Sequence, residues 1–321
     1  MRGRQQAAVV SAPRLTRWER RDLRTGILFI LPWIIGFLGF TLYPMAKAFY
    51  YSCTDYNLLQ PPNWIGLSNY ATAFTGDPLF WQSLGNTVFY ALLTLVPGTG
   101  ISIGLALMLN AKARGQSVFR AIYFMPTVLP LVATSLVWTW ILDPQYGYLN
   151  AIFRALGVAS PPGWLADPSW TKPAFAIMSI WGMGQAIVIY LASLQGVPVH
   201  LLEAAELDGA GSVRRFWHVT LPMISSAVLF NVVLSLIGTF QFFTQPFVML
   251  GGQSGSMGGG TVGGPLQSAL FYSPYLWQTA FSSFQMGYAS ALAWILFVVI
   301  LLCTGAVLYV SRHRVYYEGA V

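Results

Sequence analysis

The sequence predicts an all-α polytopic membrane protein with six transmembrane helices, and three observations carry that prediction. Of its 321 residues, 55% are hydrophobic and only 8% are charged, with a mean hydropathy of +0.58; ordinary soluble domains carry about 25% charged residues. No Asp, Glu, Lys or Arg occurs between Arg215 and Arg312, a gap of 96 residues. Such a gap suits lipid, because a charge at the bilayer centre costs about 2.5–3.5 kcal/mol on insertion. Six apolar runs reach the roughly 20 residues that a helix needs to cross about 30 Å of hydrocarbon. Each is expected to be helical, since a backbone in lipid must satisfy its own hydrogen bonds.

The elements follow in order. Residues 1–25 form a basic tail. The run at 26–49 has no small-residue cleavage site behind it and is expected to remain as a first span, not to be removed as a signal peptide. Further runs lie at about 84–110, 119–142, 173–196, 222–250 and 287–311, so a six-helix domain covers 26–311 and a tail covers 312–321. Of 17 Lys and Arg, 14 fall before the first run, at 112–120, at 214–215 or at 312–314; only Lys47, Arg154 and Lys172 fall on the other side. Basic residues mark cytoplasmic connections, so both termini and segment 197–222 are expected in the cytoplasm of a multi-pass inner (plasma) membrane protein.

On the external side lie a loop through Pro61, Pro62, Asn63 and Trp64, a loop at 143–172 and a glycine-rich loop at 251–284. Trp64, Trp81, Trp164, Trp170, Tyr275 and Trp277 in and around them fit an interfacial aromatic belt. Pro97 with Gly98 and Gly100, and Pro126 with Pro130, permit kinks that serve either structure or hinging. Cys53 and Cys303 lie at different depths and are not expected to pair.

Several chemistries are excluded. The net charge of +7 gathers at the edges of apolar runs and not on an aromatic-rich soluble face, so nucleic acid is not a partner. The three lysines follow Ala46, Ala111 and Thr171, so no G-x-x-x-x-G-K-[ST] phosphate loop exists and the chain does not hydrolyse ATP itself. Gly258, Gly260 and Gly263 match G-x-G-x-x-G without a strand before or a cytosolic helix after, which reads as loop. His200, His218 and His313 sit at the cytoplasmic edge, away from any carboxylate within the membrane. No Cys/His spacing suggests a metal, no cofactor is implied, and no nucleophile, base and metal constellation supports an enzyme.

Segment 203–222, EAAELDGAGSVRRFWHVTLP, breaks the apolar pattern. Residues 200–208 read as a short helix in which Ala204, Ala205 and Gly209 give a low-relief face, with Glu203, Glu206 and Asp208 near the helix start, where its dipole favours them. An amphipathic connector would look similar. The spacing of Glu203-Ala204-Ala205, Asp208-Gly209 and Leu221-Pro222 resembles the EAA loop of permease subunits from binding-protein-dependent ABC importers. The likeness extends to WIGLSNY (64–70), to Pro126, Pro130, Trp138, Gly147, Asn150 and Leu156-Gly157, to WLADP (164–168), to GPLQSALFYSPYLWQTAF and to GYASALAWILF, and is similar to the MalF-like class of carbohydrate importers. The large external insert and extra N-terminal spans of the maltose-transporter subunit are absent.

That resemblance implies a type I ABC importer permease fold, a second homologous permease subunit, an ABC ATPase dimer docked on Glu203, Ala204, Ala205, Asp208, Gly209, Leu221 and Pro222, and an extracytoplasmic sugar-binding protein. For the pathway itself, Asn231, Ser235 and Thr239 fall at i, i+4 and i+8 on one helical face, Gln241 and Gln245 continue a neighbouring stripe, and Trp181 and Gln185 are again i and i+4 at mid-depth. Interhelical hydrogen bonding is the plainer reading of any one of them. As a set they are uncharged amides, hydroxyls and an aromatic, which suit a neutral sugar; glycerol phosphate or a related sugar phosphate is the alternative substrate. A self-sufficient secondary carrier or channel is the alternative class, but it needs a mid-depth carboxylate or an internal repeat, and neither is present.

Overall fold

The computed structural model describes residues 16–111, 115–251, 262–312 and 315–316. Lys112, Arg114, Gly258, Gly260, His313, Arg314 and most of the N-terminal tail lie outside them. The chain divides into two compact units, residues 1–50 and 51–321. The first holds most of one apolar helix, α1 (Arg21–Ser52 in its membrane-length part), whose large apolar side chains are mostly exposed, Phe29 at 82% and Phe40 at 87%.

The second unit holds the other five runs. Two are continuous, α2 (Pro78–Asn110) and, last in the chain, Met286–Ser311, while the run of 27 residues from Ser225 to Gly251 is interrupted by a turn at 241–243. Pro97 is absorbed within α2 without ending it, as neighbouring groups in a bundle permit. The third run departs from a single span: α3 (Gln116–Val128) and α4 (Leu131–Ile141) meet at 102°. Its cause is local. Pro130 has no N–H to continue the helix and forces the residue before it to extend, so Leu129 sits at φ −75°, ψ 138° and Pro130 itself at φ −59°, ψ 134°.

After the short α5 (Tyr148–Ala155) the fourth run also breaks, into α6 (Pro168–Trp181) and α7 (Gly184–Gln195), bent by 47°. Gly182 and Met183 there leave helical geometry, with ψ of 4° and 5°. Then come α8 (Val199–Leu207), α9 (Ser225–Phe240), α10 (Thr244–Gly251), α11 (Tyr272–Trp277) and α12 (Met286–Ser311). One apolar cluster joins α2 to α7 through Ile103, Ala106, Ile187 and Leu191; a second joins α11 to α12 through Tyr272, Tyr275, Leu292 and Ile295. Among the described residues there is no named strand, only the bridge of Thr54 with Trp64, and both cysteines are free.

Three external expectations change. The described part of 251–284 is not a loose loop: it contains α11, and Ala269, Leu270, Phe271 and Tyr272 are buried. Trp164 and Tyr275 are not belt residues, because each is buried and its polar atom is engaged. The Trp164 Nε1–H donates to Asn150 Oδ1 at 2.7 Å, and the Tyr275 hydroxyl donates to Asp77. Trp64, Trp81 and Trp170 are exposed. In 64–70, Asn69 Nδ2 donates to the carbonyls of Ser52 and Thr54, and Tyr70 bonds Ser52 through their hydroxyls at 2.8 Å, so this motif stitches its own loop. Within 164–168, Asp167 caps α6 by accepting from Ser169 N at 2.8 Å.

Candidate functional site: a polar cavity and an acidic loop

A cavity of about 610 Å³ lies among α2, the α3–α4 corner, α6–α7 and α9–α10. Six of the seven residues expected from the sequence line it: Trp181, Gln185, Asn231, Ser235, Thr239 and Gln245. Gln241 does not. It ends α9 at φ −95°, ψ 17°, is exposed, and falls where the chain turns before α10, so the stripe drawn through an unbroken helix does not hold there. Asn231 is 5% exposed and donates to the Ala227 carbonyl at 3.0 Å; Thr239 donates to the Ser235 carbonyl at 2.7 Å.

The other walls escaped the sequence reading. From α2 come Thr94, Gly98 and Ser102, at the same i, i+4, i+8 spacing that marks α9, with Thr99 beside them; that periodicity was a usable signal. Thr127 and Thr134 come from either side of the 102° corner, and no periodicity announces them. Aromatic surface is supplied by Tyr90, Phe175 and Phe242, with Tyr90 stacked on Phe242 at 4.6 Å, and by Trp181, whose ring meets Trp138 edge-on at 6.1 Å. Among the described residues no Asp, Glu, Lys, Arg or His lines the cavity. The corner is held against α7 by Gly184: a Cβ there would run into the Tyr123 carbonyl and sit 2.9 Å from Thr127 Cγ2, so only glycine permits this approach.

The acidic loop folds as a short helix, α8, which begins directly after Pro198 and has no side-chain cap at its start. One expectation is corrected: there is no acidic residue in the first turn, because the helix begins at Val199. Glu203 is mid-helix, Glu206 is in the last turn and Asp208 follows it, so the dipole does not favour them. Glu206 instead accepts from Arg215 at 2.7 Å. Gly209 closes the helix: its N–H bonds the Glu206 carbonyl at 3.0 Å, the Ala210 N–H bonds the Ala205 carbonyl at 2.9 Å, and its φ is +75°. This is a Schellman cap, where glycine carries the left-handed conformation.

The seven residues expected to dock do not form one face. Glu203, Ala204, Asp208, Gly209 and Pro222 are exposed, whereas Ala205 is half-buried and Leu221 packs into the α2–α7 apolar cluster. Nor does Pro222 open the fifth span: helical turns run from Ser212 to Met223, and α9 begins after Ile224. Leu207 stands 90% exposed beside the acidic residues.

A multi-pass helical chain enclosing an uncharged cavity walled by hydroxyls, amides and aromatics is built as a membrane permease. Residues 98–315 match the model of the family described as "Binding-protein-dependent transport system inner membrane component", and this chain belongs to that family. Over 309 residues it is 37% identical to a probable ABC transporter permease protein, YesP, of Bacillus subtilis (strain 168), covering 96% of this chain and 97% of that one. To the lactose transport system permease protein LacF of Rhizobium radiobacter it is 31% identical over 294 residues, covering 90% and 94%. A solved bacterial alginate ABC transporter, in complex with an alginate pentasaccharide-bound periplasmic protein, superposes with a TM-score of 0.78 at 22% identity, covering 93% of this chain and 98% of that one. The fold is therefore that of type I ABC importer permeases.

Proposed function

We propose that this permease carries a neutral saccharide and that segment 197–222 couples it to a separate ABC ATPase dimer. The observation that carries the substrate class is the cavity lining: hydroxyls, glutamine amides and aromatic faces, with no ionised side chain among the described residues. Such walls hydrogen-bond and stack on sugar rings, whereas a phosphate or carboxylate needs a cation to offset its desolvation. A neutral saccharide is thus favoured over glycerol phosphate. LacF, by its name, carries lactose, which agrees.

The half-open cavity of one chain is completed by a second homologous permease, and a sugar-binding protein delivers the solute from outside, with both termini of this chain in the cytoplasm. Exposed Glu203, Ala204, Asp208 and Leu207 supply a contact surface for the ATPase, and α8 is made rigid by its glycine cap and its ion pair. Rigidity matters because ATP can shift the permease between outward and inward states only through contacts that differ in free energy between them.

The test is purification of the tagged chain in mild detergent from its native membrane, with mass spectrometry of what stays bound. Recovery of a second six-span permease and a P-loop ATPase is expected; recovery of the chain alone as a stable homo-oligomer would turn the reading to a self-sufficient carrier. Glu203→Lys is expected to leave the assembled protein in the membrane while uptake per ATP hydrolysed falls.

A further inference from the structure

The three cations in the segments read as external are held differently. Lys47 is exposed, its ammonium 5.9 Å from the centres of the Tyr43 and Tyr50 rings. Arg154 is also exposed and donates to the carbonyls of Gln145 at 2.7 Å and Pro144 at 2.9 Å. Lys172, on α6, is half-buried. Its Nζ donates to Asn86 Oδ1 of α2 at 2.8 Å and lies 5.2 Å from the centre of the Phe89 ring. Asn86 is set for that contact: its Nδ2 donates to the carbonyls of Gln267 at 3.0 Å and Leu270 at 3.1 Å, which leaves Oδ1 for the lysine.

No carboxylate of the described residues answers this charge. Asp55 accepts from Asn63, and Asp77 caps α2 and accepts from the hydroxyls of Tyr275 and Tyr288. Asp143 accepts from the N–H groups of Gln145 and Tyr146, and Asp167 caps α6. The single ion pair among the described residues is elsewhere, between Arg215 and Glu206. An ammonium carries three N–H donors, and Asn86 uses one. A charge partly withdrawn from water at a membrane edge is costly unless it is paired, so this position is short of an anion.

Its surroundings indicate which anion. Lys172 does not line the cavity, so the transported solute is not the partner. It stands one residue before the apolar run that begins at 173, the level at which a lysine reaches lipid head groups. Beside it α2 presents Phe89, Leu92 and Val96 at i, i+3 and i+7, each more than 50% exposed, and a turn before them Gly85 has open space where a Cβ would lie. A cation at the head of an apolar track matches a phosphate followed by an acyl chain.

We propose that Lys172 binds the phosphate of an anionic phospholipid, whose acyl chain lies along Phe89, Leu92 and Val96. Only the assignment of this lipid to the outer leaflet rests on the orientation given under the proposed function; the site itself does not.

The test titrates the tagged chain, purified in mild detergent with the partners it retains, with dioleoyl-phosphatidylglycerol or dioleoyl-phosphatidylcholine, and reads bound lipid by native mass spectrometry. The unaltered protein is expected to prefer phosphatidylglycerol. Lys172→Gln is expected to weaken that lipid about tenfold, as the loss of a charge-assisted hydrogen bond does, and to leave phosphatidylcholine unchanged, while Lys172→Arg retains most of the affinity. Excess inorganic phosphate is expected not to displace the lipid; displacement would mark a site for free anions and overturn the lipid assignment. Equal phosphatidylglycerol binding by Lys172→Gln and the unaltered protein would also overturn the proposal. A photoreactive benzophenone side chain placed at position 92 in native membranes leaves Lys172 intact and is expected to yield a lipid adduct. Adducts with protein alone, whether the second permease or α1 of this chain, would mean that this face is covered by a helix, and the proposal falls.

Discussion

Arg215 Nη1 donates to Glu206 Oε2 at 2.7 Å, joining α8 to the helical turns that lead into α9, and this is the only ion pair among the described residues. Because the Glu206 side chain is 71% exposed, water screens most of the attraction. A double-mutant cycle with Glu206→Gln and Arg215→Gln is expected to give a coupling below about 1 kcal/mol in thermal unfolding. It should shrink further when salt is raised from 0.1 to 1 M, where the screening length falls to about 3 Å. A coupling that is large and insensitive to salt would mean that the pair is shielded from water.

Gly209 has open space around the position of a Cβ but a φ of +75°, so its requirement is conformational and not steric. Gly209→Ala is expected to weaken the end of α8 by about 1–2 kcal/mol, the cost of a left-handed L-residue, whereas Gly209→Asn is expected to be milder. Amide exchange over 199–210 measures this, and equal exchange in both variants would count against the cap.

Gly184 presents the opposite case. Its φ is unremarkable, but a Cβ would meet the backbone of Tyr123 and approach Phe124 Cα to 3.1 Å. Gly184→Ala is expected to push the α3–α4 corner off α7 and to lower stability by about 1–3 kcal/mol, read as a fall in the melting temperature of the detergent-solubilised chain. Gly182→Ala, which meets only the Ser179 carbonyl at 3.6 Å, is the matched control and should melt like the unaltered protein.

Gln185 and Asn231 line the cavity, while Gln241 lies outside it. Alanine at either of the first two is expected to raise KM for the transported sugar several-fold, and Gln241→Ala is expected to leave it unchanged. Transport kinetics on the assembled importer decide this; a loss at Gln241 equal to that at Gln185 would redraw the pathway.

Asp55, in the loop after α1, accepts from the Asn63 N–H at 2.8 Å and from Asn63 Nδ2 at 3.2 Å, and these bonds hold its carboxyl below the ordinary value of 3.8. A carboxyl whose folded-state pKa is depressed contributes to loop stability above its unfolded value and loses that contribution as pH falls through the folded one. Protection of the Asn63 amide is therefore expected to persist down to pH 3.8 and to fade below it, after correction for intrinsic exchange. Asp55→Asn should remove this pH dependence. Loss of protection already at pH 5–6 would contradict the assignment.

Much of this molecule is legible from composition and period alone. Transfer of apolar side chains into lipid is a local, additive property, so the six runs, the acidic break at 197–222 and the uncharged character of the interior follow from reading the chain in order. The 3.6-residue helical period placed Asn231, Ser235 and Thr239 on one face, and the same period would have found Thr94 and Ser102 on α2. What only the tertiary structure decided lies where a helix stops being straight. Pro97 and Pro130 look alike in sequence, yet one is absorbed and the other turns the chain by 102°, because neighbouring helices determine whether the lost hydrogen bond is tolerated. That corner brings Thr134 to the cavity wall, as the end of α9 takes Gln241 out of it. Trp164 and Tyr275 are drawn inward by Asn150 and Asp77, partners 14 and 198 residues away. Such pairings depend on which segments come together in three dimensions, and no local pattern of residues encodes that.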